Sequence, residues 1–129
     1  MAANQTIPQA TGRDASRQFP RLLKVPVTLD TDGSTPFRHG RQMLVPERPG
    51  IYLIHDLRGV LYVGRTENLY RRFGQHYWRP DNHLLSRAMK ATFGQLNFSW
   101  MLAPDPLVRI QIETELISWL QPVCNRQIG

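Results

Sequence analysis

Two tyrosines, Tyr52 and Tyr62, sit in short runs of β-branched and aromatic residues, Gly50-Ile51-Tyr52-Leu53-Ile54-His55 and Val60-Leu61-Tyr62-Val63-Gly64, joined by Asp56-Leu57-Arg58-Gly59. Runs of this kind read as a β-hairpin. Folded symmetrically about Leu57, the hairpin sets the two phenols opposite each other on one face. A phenol takes up a proton only if a nearby cation or metal lowers its pKa from about 10, and without one both are ordinary strand aromatics. Gly64, at the end of the second strand, leaves room for a ligand to approach the backbone.

The segment that follows predicts a helix over about Leu69–Tyr77, capped by Thr66 or Asn68 and stopped by Pro80. Its buried stripe is Leu69, Phe73 and Tyr77. Arg72 and His76, four residues apart, share the border of that stripe. There an arginine can fork onto a phosphate while an imidazole accepts or relays a proton. Arg65 and Arg71 add charge, and six basic residues between Arg65 and Lys90 face only Glu67 and Asp81. A solvated basic helix is the plain alternative.

Glu113 is the acid that a helix does not explain. On the last predicted helix, about Leu107–Leu120, it falls among Ile110, Leu116, Ile117 and Leu120, all within about 60° of it at 3.6 residues per turn, whereas Glu115 points to solvent. Burying a carboxylate costs several kcal/mol unless something compensates. The options are a metal ion, an arginine such as Arg72, or protonation. A hard cation held by one carboxylate, waters and phosphate oxygens suits magnesium.

The elements that position these residues read in the order β-β-α-α-β-α. A second short helix spans about Leu84–Phe93 and closes at Gly94; a third strand covers Asn97–Leu102; Pro106 opens the last helix. Before them, Met1–Pro20 reads as an arm, Leu22–Leu29 as an accessory strand, of which Lys24–Leu29 is the part with a role in dimerisation, and Thr31–Arg41, with Asp-Gly-Ser-Thr-Pro, as a turn. The chain divides into an N-terminal arm and accessory segment, 1–48, and a compact domain, 49–129. Trp100, Trp119 and Cys124 are expected in the core, and Trp78 as a hydrophobic cap with base stacking as the alternative.

Composition narrows the class. A chain of 129 residues that is 41% hydrophobic has the size of about one domain and buries enough for a core without staples. Its 16 Lys and Arg against 10 Asp and Glu give +6, compatible with a polyanionic partner. A single cysteine excludes an internal disulfide and, with four scattered histidines, argues against a Cys/His zinc site. With no signal peptide and no apolar run of about 20 residues, the expectation is a soluble cytoplasmic protein without a membrane role.

Taken together these residues resemble the GIY-YIG nuclease family. Gly50-Ile51-Tyr52 and Tyr62-Val63-Gly64 match the two namesake triplets, with valine for isoleucine. The string from Gly64 and Arg65 through Asn68-Leu69 to Arg72 and His76 resembles the family's helical motif, and Glu113, Leu116-Ile117, Pro122 and Asn125 its closing one. The resemblance covers Pro49–Asn125. It implies an α/β (α+β) fold, a small three-stranded antiparallel sheet flanked by helices, and a metal-dependent endonuclease that hydrolyses phosphodiester bonds in DNA. Glu113 would anchor one Mg2+ or Mn2+. Tyr52 or Tyr62 would position or deprotonate the attacking water with His76 as relay. Arg72 would hold a non-bridging oxygen, and Asn125 would brace the site. Arg65, where the family more often has lysine, would bind nucleic acid together with Arg71 and Arg79. With only four residues after Asn125, specificity is expected from residues 1–48, a homodimer or a protein partner. The competing readings are a non-catalytic nucleic-acid-binding module that acts with a partner protein and a purely structural domain.

Overall fold

The computed structural model describes residues 30–125. Four strands form one antiparallel sheet: β1 (Gly33–Pro36), β2 (Gly50–Asp56), β3 (Gly59–Thr66) and β4 (Asn97–Leu102), in the order β1-β4-β2-β3. Three α-helices accompany it, α1 (Leu69–Trp78), α2 (His83–Lys90) and α3 (Pro106–Leu120), with 3-10 turns at Gln42–Leu44 and Val123–Asn125. No helix among the described residues is long and apolar enough to cross a membrane.

The strands alternate between two cores, which makes three layers. Tyr52, Ile54 and Phe98 point to one face and pack with Leu69 and Phe73 of α1 and Leu85 of α2. Ile51, Leu53 and Val63 point to the other and pack with Leu116 and Leu120 of α3. Each helix starts where a side-chain oxygen caps it: Asn68 accepts from Arg71 N, Asn82 from Leu85 N, and Asp105 from Leu107 N, each at 2.9 Å. Asn68, not Thr66, is thus the cap of α1. Helix α2 stops at Lys90, three residues before the expected Phe93, and the chain reaches Gly94 through a bend.

The sheet has four strands where three are expected. Gly33–Pro36, inside the segment read as a turn, pairs with β4 through Gly33↔Trp100 and Thr35↔Phe98. A Cβ on Gly33 would lie 2.3 Å from the Trp100 indole, so glycine lets this strand pass against the ring. Phe37 then enters the core edge-on to Phe73, ring centroids 4.7 Å apart, and Val45 is buried beside it. The compact domain therefore begins well before residue 49. The accessory strand expected at Leu22–Leu29 and the arm Met1–Pro20 lie outside the described residues.

The hairpin register also differs from the symmetric one. A two-residue turn pairs Asp56 with Gly59, and a bulge at Leu61 makes Ile54 the partner of Tyr62 and Gly64 the partner of Tyr52. The phenols are diagonal neighbours rather than opposite, yet they keep one face because the total shift is even. Asp56 fixes the turn by accepting from Arg58 N at 2.8 Å and Phe93 N at 3.0 Å.

Candidate active site

Tyr52 is the centre of the site. Its ring stacks on Phe98, 8° from parallel, and leans across its strand partner so closely that a Cβ on Gly64 would be 2.3 Å from the phenol oxygen. The tyrosine of one triplet thus occupies the space left by the glycine of the other. That oxygen lies 2.7 Å from His76 Nε2 and accepts from Arg72 Nε at 3.3 Å. Arg72 also donates to Gln75 Oε1 at 2.9 Å, which holds its guanidinium along α1. The ring of Tyr62 is 6.0 Å from that of Tyr52 and 5.4 Å from that of His76.

Electrostatics follow from burial. Tyr52 and His76 are each only 1% exposed. Desolvation pushes the Tyr52 phenol well above its ordinary value; Tyr62 adds to the rise and Arg72 opposes it. Desolvation and then the Arg72 charge push His76 down to about 4. Both groups are therefore neutral at pH 7, and His76 Nδ1 is buried without a hydrogen-bond partner among the described residues. Tyr62 is half-buried, which leaves it the phenol in reach of solvent.

Glu113 enters from the other layer. It lies on the inward track of α3 with Arg109, Leu116 and Leu120, whereas Ile110, expected in that track, is exposed. Arg109 is the residue the periodicity missed: its aliphatic stem follows the track, and Nη1 ends 3.0 Å from Ala103 O. Glu113 pairs with Arg65 of β3, not with Arg72. The carboxylate side chain is 16% exposed and the arginine 47%. By strand alternation Arg65 shares the α3 face with Val63, so the ion pair and the tyrosine cluster flank β3 from opposite sides.

Asn125 joins the site through backbone. Its Oδ1 accepts from Val63 N and its Nδ2 donates to Val63 O, both at 2.8 Å. The amide thereby imitates a neighbouring strand on the free edge of β3, between Tyr62 and Gly64. The structure brings Tyr52, Tyr62, Arg72 and His76 together. It sets Arg65 with Glu113, and leaves the Arg71 and Arg79 side chains exposed on α1 and just beyond it. Trp78, expected as a cap, is 62% exposed, whereas Trp100 and Cys124 are buried as expected and Trp119 is half-buried.

A half-buried phenol beside a sealed phenol–imidazole pair, with a guanidinium facing both, defines a site for moving a proton next to an anion. The chain belongs to the GIY-YIG family: the GIY-YIG catalytic domain matches residues 48–127. UvrABC system protein C of Caldanaerobacter subterraneus subsp. tengcongensis is 31% identical over 84 residues, 64% of this chain and 13% of that protein. Excinuclease cho of Escherichia coli K12 is 28% identical over 86 residues, 65% of this chain and 27% of its own. The matched region is thus a small part of either relative. Among solved structures, the GIY-YIG N-terminal endonuclease domain of UvrC from Thermotoga maritima, bound to its catalytic divalent cation magnesium, shares the fold at a TM-score of 0.55 and 21% identity, over 67% of this chain and 92% of that one.

Proposed function

We propose that this domain hydrolyses phosphodiester bonds in DNA with the help of one divalent cation, magnesium or manganese, held by Glu113. The observation that carries the reading is the Tyr52–His76–Arg72 cluster with Tyr62 at its open side, inside a domain of the GIY-YIG family.

The donor chemistry of Glu113 fits a hard dication. It is a carboxylate with part of its surface open, and its partner Arg65 is exposed enough to withdraw into solvent. No group of three or more His, Cys, Asp or Glu among the described residues could hold a metal, so waters and phosphate oxygens would complete the shell, as magnesium prefers. When bound, such an ion stabilises charge on the phosphate and on the leaving oxygen.

The chain's own residues do the rest. Arg72 grips a non-bridging oxygen and supports the extra charge of the transition state. Tyr62 orients the attacking water, because Tyr52 is sealed from solvent. The water's proton passes through the phenols toward His76 Nε2. A phosphate on Arg72 offsets the charge that helps hold the imidazole down, and so raises its proton affinity as substrate arrives. Arg65, Arg71 and Arg79 supply non-specific attraction for the strand. Asn125 keeps β3, and hence Tyr62, in register.

The test incubates supercoiled plasmid and single-stranded oligonucleotides with magnesium or EDTA, using wild type, Tyr62→Phe, Arg72→Ala and Glu113→Ala. Magnesium-dependent cleavage lost in all three variants is expected; cleavage that survives Glu113→Ala rejects its metal role. The Glu113–Arg65 ion pair, which satisfies the carboxylate without a cation, favours a second reading, a binding module that depends on a partner protein. Salt-sensitive DNA binding with no magnesium-dependent product would establish it.

A further inference from the structure

Beside the catalytic cluster, α1 and the residues after it enclose an open cleft of about 440 Å³, lined by Arg72, Gly74, Gln75, Trp78, Arg79 and Asp81. Arg72 belongs to both places: Nε touches the Tyr52 oxygen, and the rest of the guanidinium lies over Gln75 at the cleft wall. Gly74 lends backbone to the cleft, and the Gln42 side chain fills the space where a Cβ would stand. Trp78 stands at the far side, 62% exposed. Its ring neighbours, Tyr77 at 4.9 Å and His39 at 5.7 Å, are both nearly perpendicular to it. They steady the indole, and no ring stacks parallel on it among the described residues.

Covering an indole this exposed would bury apolar surface, and a flat partner can stack on its free face. Two arginines in the same cleft say that the partner travels with phosphates. Trp78 is six helical steps from Arg72, about 9 Å along the axis, the reach from a held phosphate to the base of a neighbouring nucleotide. The one acid, Asp81, can accept from a base's exocyclic amine but repels a phosphate, which turns the base, not the backbone, toward it.

We propose that this cleft binds an unpaired nucleobase of the strand being cut, stacked on Trp78, with Arg72 and Arg79 on the adjoining phosphates. The inference rests on the nuclease reading above and adds a substrate class to it. Bases inside an intact duplex are stacked on each other and closed to an indole, so the domain prefers single-stranded DNA or DNA with locally unpaired nucleotides near the cleavage point.

The experiment measures anisotropy of fluorescently labelled oligo-dT, an abasic chain of the same length, and a duplex, in EDTA so that nothing is cut. Wild type is expected to bind oligo-dT roughly 5- to 150-fold more tightly than the abasic chain, the range for one stacked base. Trp78→Ala should reduce that preference to less than about twofold, while Trp78→Phe keeps most of it. Circular dichroism melts of the variants check that they fold. A preference unchanged in Trp78→Ala, or tighter binding to the duplex, overturns the stacking site even if magnesium-dependent cleavage is intact. If wild type neither binds nor cuts any DNA, the nuclease reading falls and this inference with it.

Discussion

The phenol oxygen of Tyr52 and Nε2 of His76 are 2.7 Å apart, and solvent reaches neither side chain. A proton between them is exchanged inside the protein, with Arg72 in contact through its Nε. Under the proposed mechanism the pair would take up a proton from behind Tyr62, since burial keeps both groups from meeting water themselves.

That burial makes stability depend on pH. His76 holds its proton with a pKa of about 4 in the folded chain against 6.5 when unfolded. The unfolded state therefore binds more protons between these values, and stability present above pH 6.5 is lost as pH falls toward 4, with no further change below. The loss is on the order of 3 kcal/mol for the shift cited. His55, also held low by burial, contributes in the same direction. Urea denaturation of wild type and His76→Phe at pH 7.5 and 4.5 checks this: the variant should show a clearly smaller pH dependence. Equal slopes would show that the imidazole does not resist protonation in the fold.

Gly64→Ala tests the interlock of the two triplets. The new Cβ would meet the Tyr52 oxygen at 2.3 Å and Cζ at 2.4 Å, and backbone and ring must move apart. A cost of roughly 1–3 kcal/mol is expected, together with loss of cleavage as the phenol leaves His76. Tyr52→Phe should not rescue Gly64→Ala, because Cζ remains in the way, whereas Tyr52→Leu should recover much of the stability but none of the activity. Additive costs in a double-mutant cycle would count against the contact.

How much of this could be read in the sequence depends on the range of each cause. The Asn68 cap, the Pro106 start and the strand Asn97–Leu102 are local signals and appear where expected. Tyr52 and Tyr62 share a face because alternation survives an even shift, but the bulge at Leu61, and with it the pairing of Tyr52 with Gly64, follows from turn closure that composition does not encode. Glu113 stands out by helical period, and Arg65 as its partner does not, since 48 residues separate them. The fourth strand was hidden for a related reason: Gly33–Pro36 has turn composition and becomes a strand only because β4 offers it an edge and Trp100 a flat wall. Arg109 looks like a surface cation until the carbonyl of Ala103 is found at its tip.

Glu113→Gln separates the metal role from the structural one. The ion pair with Arg65 is partly exposed and contributes only ~0–1 kcal/mol, so thermal stability in EDTA should change little. Manganese binding, followed by the electron paramagnetic resonance of the free ion, should weaken at least tenfold, and magnesium-dependent cleavage should disappear. Arg65→Ala should leave manganese binding as tight as in wild type or tighter, because a competing positive charge is gone. Unchanged manganese binding in Glu113→Gln would move the ligand elsewhere.

Asn125→Ala removes both hydrogen bonds to Val63 and leaves that edge of β3 unsatisfied. A loss of about 1–3 kcal/mol is expected. Asn125→Asp keeps the acceptor for Val63 N but sets a carboxylate oxygen against Val63 O, and should be no better than alanine at neutral pH. Hydrogen exchange locates the effect: the Val63 amide should lose protection in both variants while Leu53 keeps most of its own. Protection of Val63 unaffected in either variant would show that the clamp does not hold the strand.

A chain begun at residue 48, where the family match starts, should not fold well. It lacks β1, which leaves the outer edge of β4 unpaired and the Trp100 indole uncovered, and it lacks Phe37 and Val45, both in the core. Burial of two such side chains alone is worth roughly 3–6 kcal/mol, a large share of the 5–15 kcal/mol that holds a domain together. A chain begun at residue 30 retains all of these contacts and should melt well above the chain begun at residue 48. Thermal denaturation of the two truncations decides the matter. A shorter chain as stable as the longer one would mean that β1 and Phe37 rest on the domain without supporting it.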